Sequence, residues 1–432
     1  MKRTLLGLAA ALSAVVAALG IWQLQMGEAQ ADRGDRPRFS VDPSWPKALP
    51  HKWLIGQVPG LAVDKDDNIW IVQRARTLTN DERGASTTDI PVAPIPSPPP
   101  LDGAARPQGA IADCCLPAPA VMQFDPKGNL LRAWGGPVDP GKCLESEGCF
   151  WPNTEHGIYV DHNMNVWLGG QAGGAVLKFS ADGDFLLQIG RRQPPVRASN
   201  DKTSGINGTP LLAQPADMEV DPDTNELYIA DGYTNLRVIV VDAQTGMYKR
   251  HWGAYGQNPV NDTGNIGPYI KNQPAAPHFR NPVHAVRITD DGLVYVADRV
   301  NDRIQVFDKK KVGAVCQNPT GASGVCGYVG EFFVERDTLL NGSTWDVDVS
   351  SDRDQKFLYN ADGSNQYVWT LNRKTGAILG TFGRNGRSAG QFHWVHNMAV
   401  DSKGNMYTAE VDTGKRVQKF VSKDDDRDHD RD

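Results

Sequence analysis

One phrase recurs along the chain and leaves it few possible folds. It runs apolar-x-Val-Asp, three turn residues, Asn, any residue, then an aromatic and an apolar residue. It reads GLAVDKDDNIWIVQR from Gly60, HGIYVDHNMNVWLGG from His156 and ADMEVDPDTNELYIADG from Ala216. It returns as HAVRITDDGLVYVADR from His284 and HNMAVDSKGNMYTAE from His396, with a degenerate copy, WDVDVSSDRDQKFLYNADG, from Trp345. Each copy is a strand, an Asp/Asn/Gly turn and a second strand. Alternating runs such as AVMQFD, AVLKFS, RVIVVD and RIQVFD supply a third strand, and runs such as NLLRAWG and DFLLQIG a fourth. Three or four antiparallel strands repeated six times predict an all-β, six-bladed β-propeller. Such a disc explains a 432-residue chain with little helical periodicity, because each blade buries its faces on its neighbours. The run Phe39–Pro43 precedes the first copy and is expected to close the ring by adding a strand to the last blade.

The propeller is placed at 32–421, with a Pro-rich insertion at 77–119 inside blade one and polar connections at 191–213 and 255–280. The charge-dense end 422–432 reads as a disordered tail. The start reads as a signal peptide over 1–31: Lys2 and Arg3, an apolar run from Leu5 to Ile21, then Ala29-Gln30-Ala31 before a mature start at Asp32. The competing reading is an uncleaved anchor. Cleavage makes the protein periplasmic or secreted, with no membrane attachment afterwards. Six cysteines fit an oxidising compartment. Cys316 and Cys326 flank a Gly-rich turn and are expected to bridge each other. The adjacent Cys114 and Cys115 are expected to reach Cys143 and Cys149 rather than each other. The net charge of −6, from 45 basic and 51 acidic residues, disfavours nucleic acid as a partner.

Two registers of the repeat carry chemistry. Five residues before the Asp that ends the first strand stand Pro59, His156, Ala216, His284, Trp345 and His396, in blades one to six. (Thr289 and Ser350 replace that Asp in blades four and five.) Histidine occupies alternate blades, so the three imidazoles converge on the central channel. Three histidines with a fourth position open are the pattern of catalytic zinc, although another divalent metal could serve. Ten residues after the Asp, at the end of the second strand, stand Arg74 and Arg299. Tyr233 follows just beyond that register in blade three. An arginine fork holds a carboxylate at two points, and a tyrosine beside it can act as a base. The competing role for the arginines is an inter-blade salt bridge with Asp231 or Asp298.

The phrases Asp231-Gly-Tyr-Thr-Asn-Leu-Arg237 and Ala297-Asp-Arg-Val-Asn-Asp-Arg-Ile-Gln305, with His156-Gly, Pro282-Val-His284 and Val395-His396, resemble the catalytic propeller of peptidyl-α-hydroxyglycine α-amidating lyase, among the NHL-repeat propellers. The resemblance runs from about residue 55 to 420. It implies that His156, His284 and His396 hold zinc, that Tyr233 is the catalytic tyrosine and that Arg74 and Arg299 are the active-site arginines. It also implies a structural calcium on the carbonyls of Leu61 and Ile158 and on the residue after the last zinc ligand. That residue is Asn397 here, which offers a carbonyl oxygen but no charge. The implied reaction splits the C–N bond of a carbinolamide, giving an amide and glyoxylate. The substrate would be a peptide or another small hydroxylated carboxylate. Two other classes fit the scaffold: a metal-dependent hydrolase or lactonase, and a non-catalytic propeller that binds a peptide or protein, its metal an axial bolt.

Overall fold

The computed structural model describes residues 36–86, 110, 112–192, 196–259, 267–313 and 327–423. Residues 1–31, expected to be a signal peptide, most of the Pro-rich stretch, Cys316, Cys326 and residues 424–432 lie outside them. The described residues form six four-stranded antiparallel sheets, the blades of a six-bladed β-propeller. Counted from the axis outward, blade one is Gln57–Val63, Ile69–Arg74, Val121–Phe124 and Leu130–Trp134. The inner strands of blades two to six are Thr154–Val160, Asp217–Asp221, Val283–Ile288, Asp346–Val349 and Val395–Val400. Each packs on the inner strand of the next blade, and that of blade six packs on blade one. The early strand Phe39–Asp42 is the outermost strand of blade six, paired antiparallel with Arg416–Ser422. The ring is therefore closed by hydrogen bonds between the two ends of the described chain.

The repeated phrase folds for a local reason. The Asp64 carboxylate accepts the backbone N–H groups of Asp66 and Asn68 and the side-chain amide of Asn68, tying the turn. It also accepts Nε1–H of Trp70 at 2.8 Å. Asp161 does the same for Asn163, Asn165 and Trp167, and Asp401 for Lys403, Asn405 and Tyr407. One carboxylate thus caps the hairpin and fixes the aromatic ring of the second strand, which fills the inter-blade layer. Six apolar clusters result, each between successive blades.

The cysteines correct one expectation. Cys143 bonds to Cys149, with their Cα atoms 5.1 Å apart, and Cys114 bonds to Cys115. The two pairs serve different places. Leu116–Pro117 runs parallel to Trp53–Leu54, which draws Cys114 and Cys115 beside blade one's entry. Cys149 and Cys143 instead pack with Trp134 and Trp151 between blades one and two.

At the axis, neighbouring inner strands approach within backbone distance. A Cβ on Gly60 would lie 2.5 Å from the His156 carbonyl oxygen, and one on Gly157 2.5 Å from that of Ala216. Where the residue is not glycine, its side chain bonds the neighbour's backbone. Asp217 and Glu219 of blade three accept the N–H groups of Val286 and Ile288 in blade four. Asp346 and Asp348 of blade five accept those of Met398 and Val400 in blade six. Arg287 of blade four lies 3.6 Å from Glu219 and 3.4 Å from Asp348. This polar end opens into a cavity of about 510 Å³ whose walls include Leu61, Ile158, Glu219, Arg287 and Asp348.

Four buried carboxyls thus share one guanidinium. Burial pushes Glu219 up to about 8, against the attraction of Arg287. A carboxyl raised in this way binds its proton more tightly folded than unfolded. Its contribution to stability is full below about 4.5 and is lost as pH rises towards 8. Glu219→Gln is therefore expected to hold a constant Tm offset from wild type below about pH 4.5 and to gain a few degrees on it by pH 8. Arg287→Met has the opposite sign: it leaves buried carboxylates unpaired and costs about 3–5 kcal/mol at neutral pH, less in acid. Thermal melts from pH 4 to 8 check both signs; a Glu219→Gln offset independent of pH contradicts the first.

Candidate functional site

The other end of the channel is built from the first register. His156, His284 and His396 sit on inner strands, at most 4% exposed, and their ligand atoms lie within 4.8 Å of one another. Each imidazole is held by the following blade. Nδ1–H of His156 donates to the Ala216 carbonyl at 2.7 Å, that of His396 to Pro59 at 2.7 Å, and that of His284 to Trp345. The acceptors are the same register position in blades three, one and five. Once Nδ1 carries the proton, each Nε2 presents its lone pair to the axis. Burial, then the charges of Arg74 and Arg299, holds His396 down at about 3. Burial, then the His396 imidazole, holds His156 and His284 well below their ordinary value. Three neutral, oriented imidazole nitrogens are a donor set that fits a divalent metal. Among the described residues no carboxylate or thiolate joins this group.

The second register meets the histidines. The Tyr233 hydroxyl lies 3.0 Å from Nε2 of His156 and 3.1 Å from Nε2 of His284. Nη1 of Arg299 donates to that oxygen at 3.3 Å, and the guanidinium stacks 4.5 Å from the centre of the Trp345 ring. Arg299 Nε is buried without a partner. Arg74 is held by two groups: Nε donates to the Glu155 carbonyl at 2.7 Å and Nη1 to Gln57 Oε1 at 3.0 Å.

Neither Arg74 nor Arg299 salt-bridges Asp231 or Asp298. Those carboxylates take Arg237 at 3.0 Å and Arg303 at 2.7 Å, all four side chains fully buried. The phrases around them therefore contain two kinds of residue. Asp231, Asn235 and Arg237 lock the strand ends, as do Asp298, Asn301 and Arg303. Tyr233 and Arg299, between them, are left to face the axis.

Leu61, Ile158 and Asn397 lie at the level below the histidines. The Asn397 side-chain oxygen accepts the Leu61 N–H at 2.6 Å, and its amide donates to Asp346 at 2.8 Å. The Asn397 oxygen thus occupies itself with a backbone group that a calcium ligand would leave free. Gln57, Glu155 and the carbonyls of Pro59, Ala216 and Trp345 escaped the sequence reading. The three carbonyl residues were in view, as the non-histidine members of the first register. Gln57 and Glu155 carry no repeat signal.

No family model matches the chain. Over 353 residues it is 26% identical to peptidyl-alpha-hydroxyglycine alpha-amidating lyase 1 of Drosophila melanogaster, covering 71% of this chain and 57% of that protein. Over 176 residues it is 33% identical to peptidyl-glycine alpha-amidating monooxygenase B of Xenopus laevis, covering 40% of this chain and 17% of that protein. A third relative is human NHL repeat-containing protein 3, 31% identical over 204 residues, which cover 44% of this chain and 46% of it. The matches thus span from under a fifth to little over half of these relatives' length. The chain is a six-bladed β-propeller whose curated relatives include amidating lyases, amidating monooxygenases and NHL repeat proteins.

Proposed function

We propose that the protein is an exported, metal-dependent lyase that splits the C–N bond of an α-hydroxyglycine-type carbinolamide, R–CO–NH–CH(OH)–COO⁻, into an amide and glyoxylate. One observation carries this reading: the Tyr233 hydroxyl sits between two histidine Nε2 atoms with a guanidinium on its other side. His156, His284 and His396 would hold the metal, which when bound supplies Lewis acidity towards a hydroxyl oxygen. The chain's own groups do the rest. Arg74, fixed by Gln57 and Glu155, offers its guanidinium to the substrate carboxylate. Tyr233 takes the proton from the carbinol hydroxyl as the C=O bond forms and the C–N bond breaks, and returns it to the departing amide nitrogen. Arg299 balances negative charge on the phenol oxygen while the proton is away. A structural calcium is not part of this reading, since the Asn397 oxygen serves the backbone of Leu61.

The test is glyoxylate release from α-hydroxyhippurate by the mature protein, with and without a chelator. Release is expected to stop with chelator, to return with zinc, and to be lost in His284→Ala together with bound metal. Tyr233→Phe is expected to retain the metal and lose about 10²–10⁴-fold in kcat. A folded protein holding one metal per chain that releases no glyoxylate overturns the assignment.

Arg74 makes a separate expectation. If it binds the carboxylate in ground and transition state alike, Arg74→Met raises KM with little change in kcat. Gln57→Leu, which frees one of its two anchors, should shift KM in the same direction by a smaller factor. Steady-state kinetics on the two variants checks this, and a loss confined to kcat contradicts it.

A further inference from the structure

The walls of the histidine site differ from sector to sector. Blades one and two present Arg74, Gln57 and the Glu155 carbonyl, a polar wall. Blades three and four present Tyr233 and Arg299. Blades five and six present indoles. Trp345 lies 5.9 Å from the His284 ring and 5.6 Å from the His396 ring, centre to centre, and Trp394 meets Trp345 edge-on at 5.3 Å. Trp345 is itself covered, at 4% exposure, by Arg299 and by its neighbours. Its Nε1–H is tied to the Gly342 carbonyl at 2.8 Å. Gly363 lets it pack there: an added Cβ would stand 2.9 Å from the indole. Trp394 is the partly exposed member of the pair.

The backbone of Trp394 is unusual. It has φ of 59°, a left-handed conformation that a bulky side chain avoids. The conformation is enforced on both sides: the Trp394 N–H donates to Gln366 Oε1 at 2.7 Å, and its carbonyl accepts the Val411 N–H at 3.1 Å. This places a large, partly exposed ring two residues before a histidine of the site, on a backbone pinned from both sides.

The geometry points to Trp394, backed by Trp345, as the platform for the acyl half of the substrate, and so to N-aroyl or aromatic-residue carbinolamides as the preferred substrate class. This rests on the lyase reading. With the carboxylate on Arg74 and the hydroxyl at Tyr233, the apolar wall of blades five and six is left for the R–CO group. Offset or edge-on packing of an aromatic acyl group on an immobilised indole adds to the burial of its surface.

The experiment compares α-hydroxyhippurate with N-acetyl-α-hydroxyglycine in wild type, Trp394→Ala and Trp394→Phe, each matched for metal content. The ratio of kcat/KM, benzoyl over acetyl, is expected to fall about tenfold in Trp394→Ala and to be largely restored in Trp394→Phe. In parallel, calorimetry measures binding of the unreactive analogues hippurate and N-acetylglycine. Wild type is expected to prefer hippurate, and Trp394→Ala to lose that preference. Equal ratios in wild type and Trp394→Ala, in turnover or in binding, overturn the platform while leaving glyoxylate release and the lyase untouched. A hippurate preference that depends on Trp394 in a protein releasing no glyoxylate supports the platform and overturns the lyase.

Discussion

Every inner strand of this propeller is the edge strand of its blade, and its outward backbone groups have no strand to pair with. That constraint governs the axis. An unpaired edge is tolerated only where something satisfies it. Here the neighbouring blade does so with side chains. Carboxylates of blades three and five take the free N–H groups of blades four and six, and Asn397 takes that of Leu61. Histidines of blades two, four and six take the free carbonyls of blades three, five and one. The site is thus a by-product of edge satisfaction: an imidazole that gives its Nδ1 proton to a neighbour's carbonyl must turn Nε2 to the axis.

The same device gives the channel two different ends. N–H groups call for anions, and the resulting carboxylates crowd together around Arg287. Carbonyls call for donors, and neutral imidazoles meet that need without adding charge. Arg299 then stands near a neutral centre, and Arg74 shares the buried Glu155 carboxylate with Arg76, so the two arginines keep positive charge at this end for an anionic ligand. Had Arg74 or Arg299 paired with Asp231 or Asp298, that availability would be gone. Arg237 and Arg303 take those carboxylates, which is why an Asp and two arginines can share one short phrase with different fates.

The contrast explains what could be read from the chain. The pattern inside one copy of the phrase was legible: the Asp/Asn/Gly turn, the strand alternation and hence the six blades. The histidines were legible because register maps directly onto angle around the axis. Interactions between copies were not, because they depend on how far one blade is shifted against the next. Nothing in Cys114-Cys115 or in Cys143 states which loops meet, and spacing alone pointed to the wrong partners. Gln57 and Glu155 are invisible for the same reason: each is an ordinary polar residue until Arg74 is laid across the blade boundary.

Catalysis asks for less symmetry than the metal does. A divalent ion is served by three equivalent positions, and the repeat supplies them on every second blade. The carbinolamide proposed as substrate has three unlike parts, and no repeating position can recognise them all. The unlike groups sit where only one or two blades carry them: Arg74 and Arg299 share a register that holds no arginine in the other four blades, and Tyr233 and Trp394 fall outside it. Tyr233 lies just past the end of blade three's second strand, Glu226–Asp231, Arg74 and Arg299 start short 3-10 turns after the second strand, and Trp394 occupies a left-handed bend before the last inner strand. In this disc the regular residues hold the frame and could hold the metal, and the departures from regularity carry the discrimination. A change at a repeat position should therefore cost folding or metal, whereas a change at a departure should alter what is bound and how it reacts.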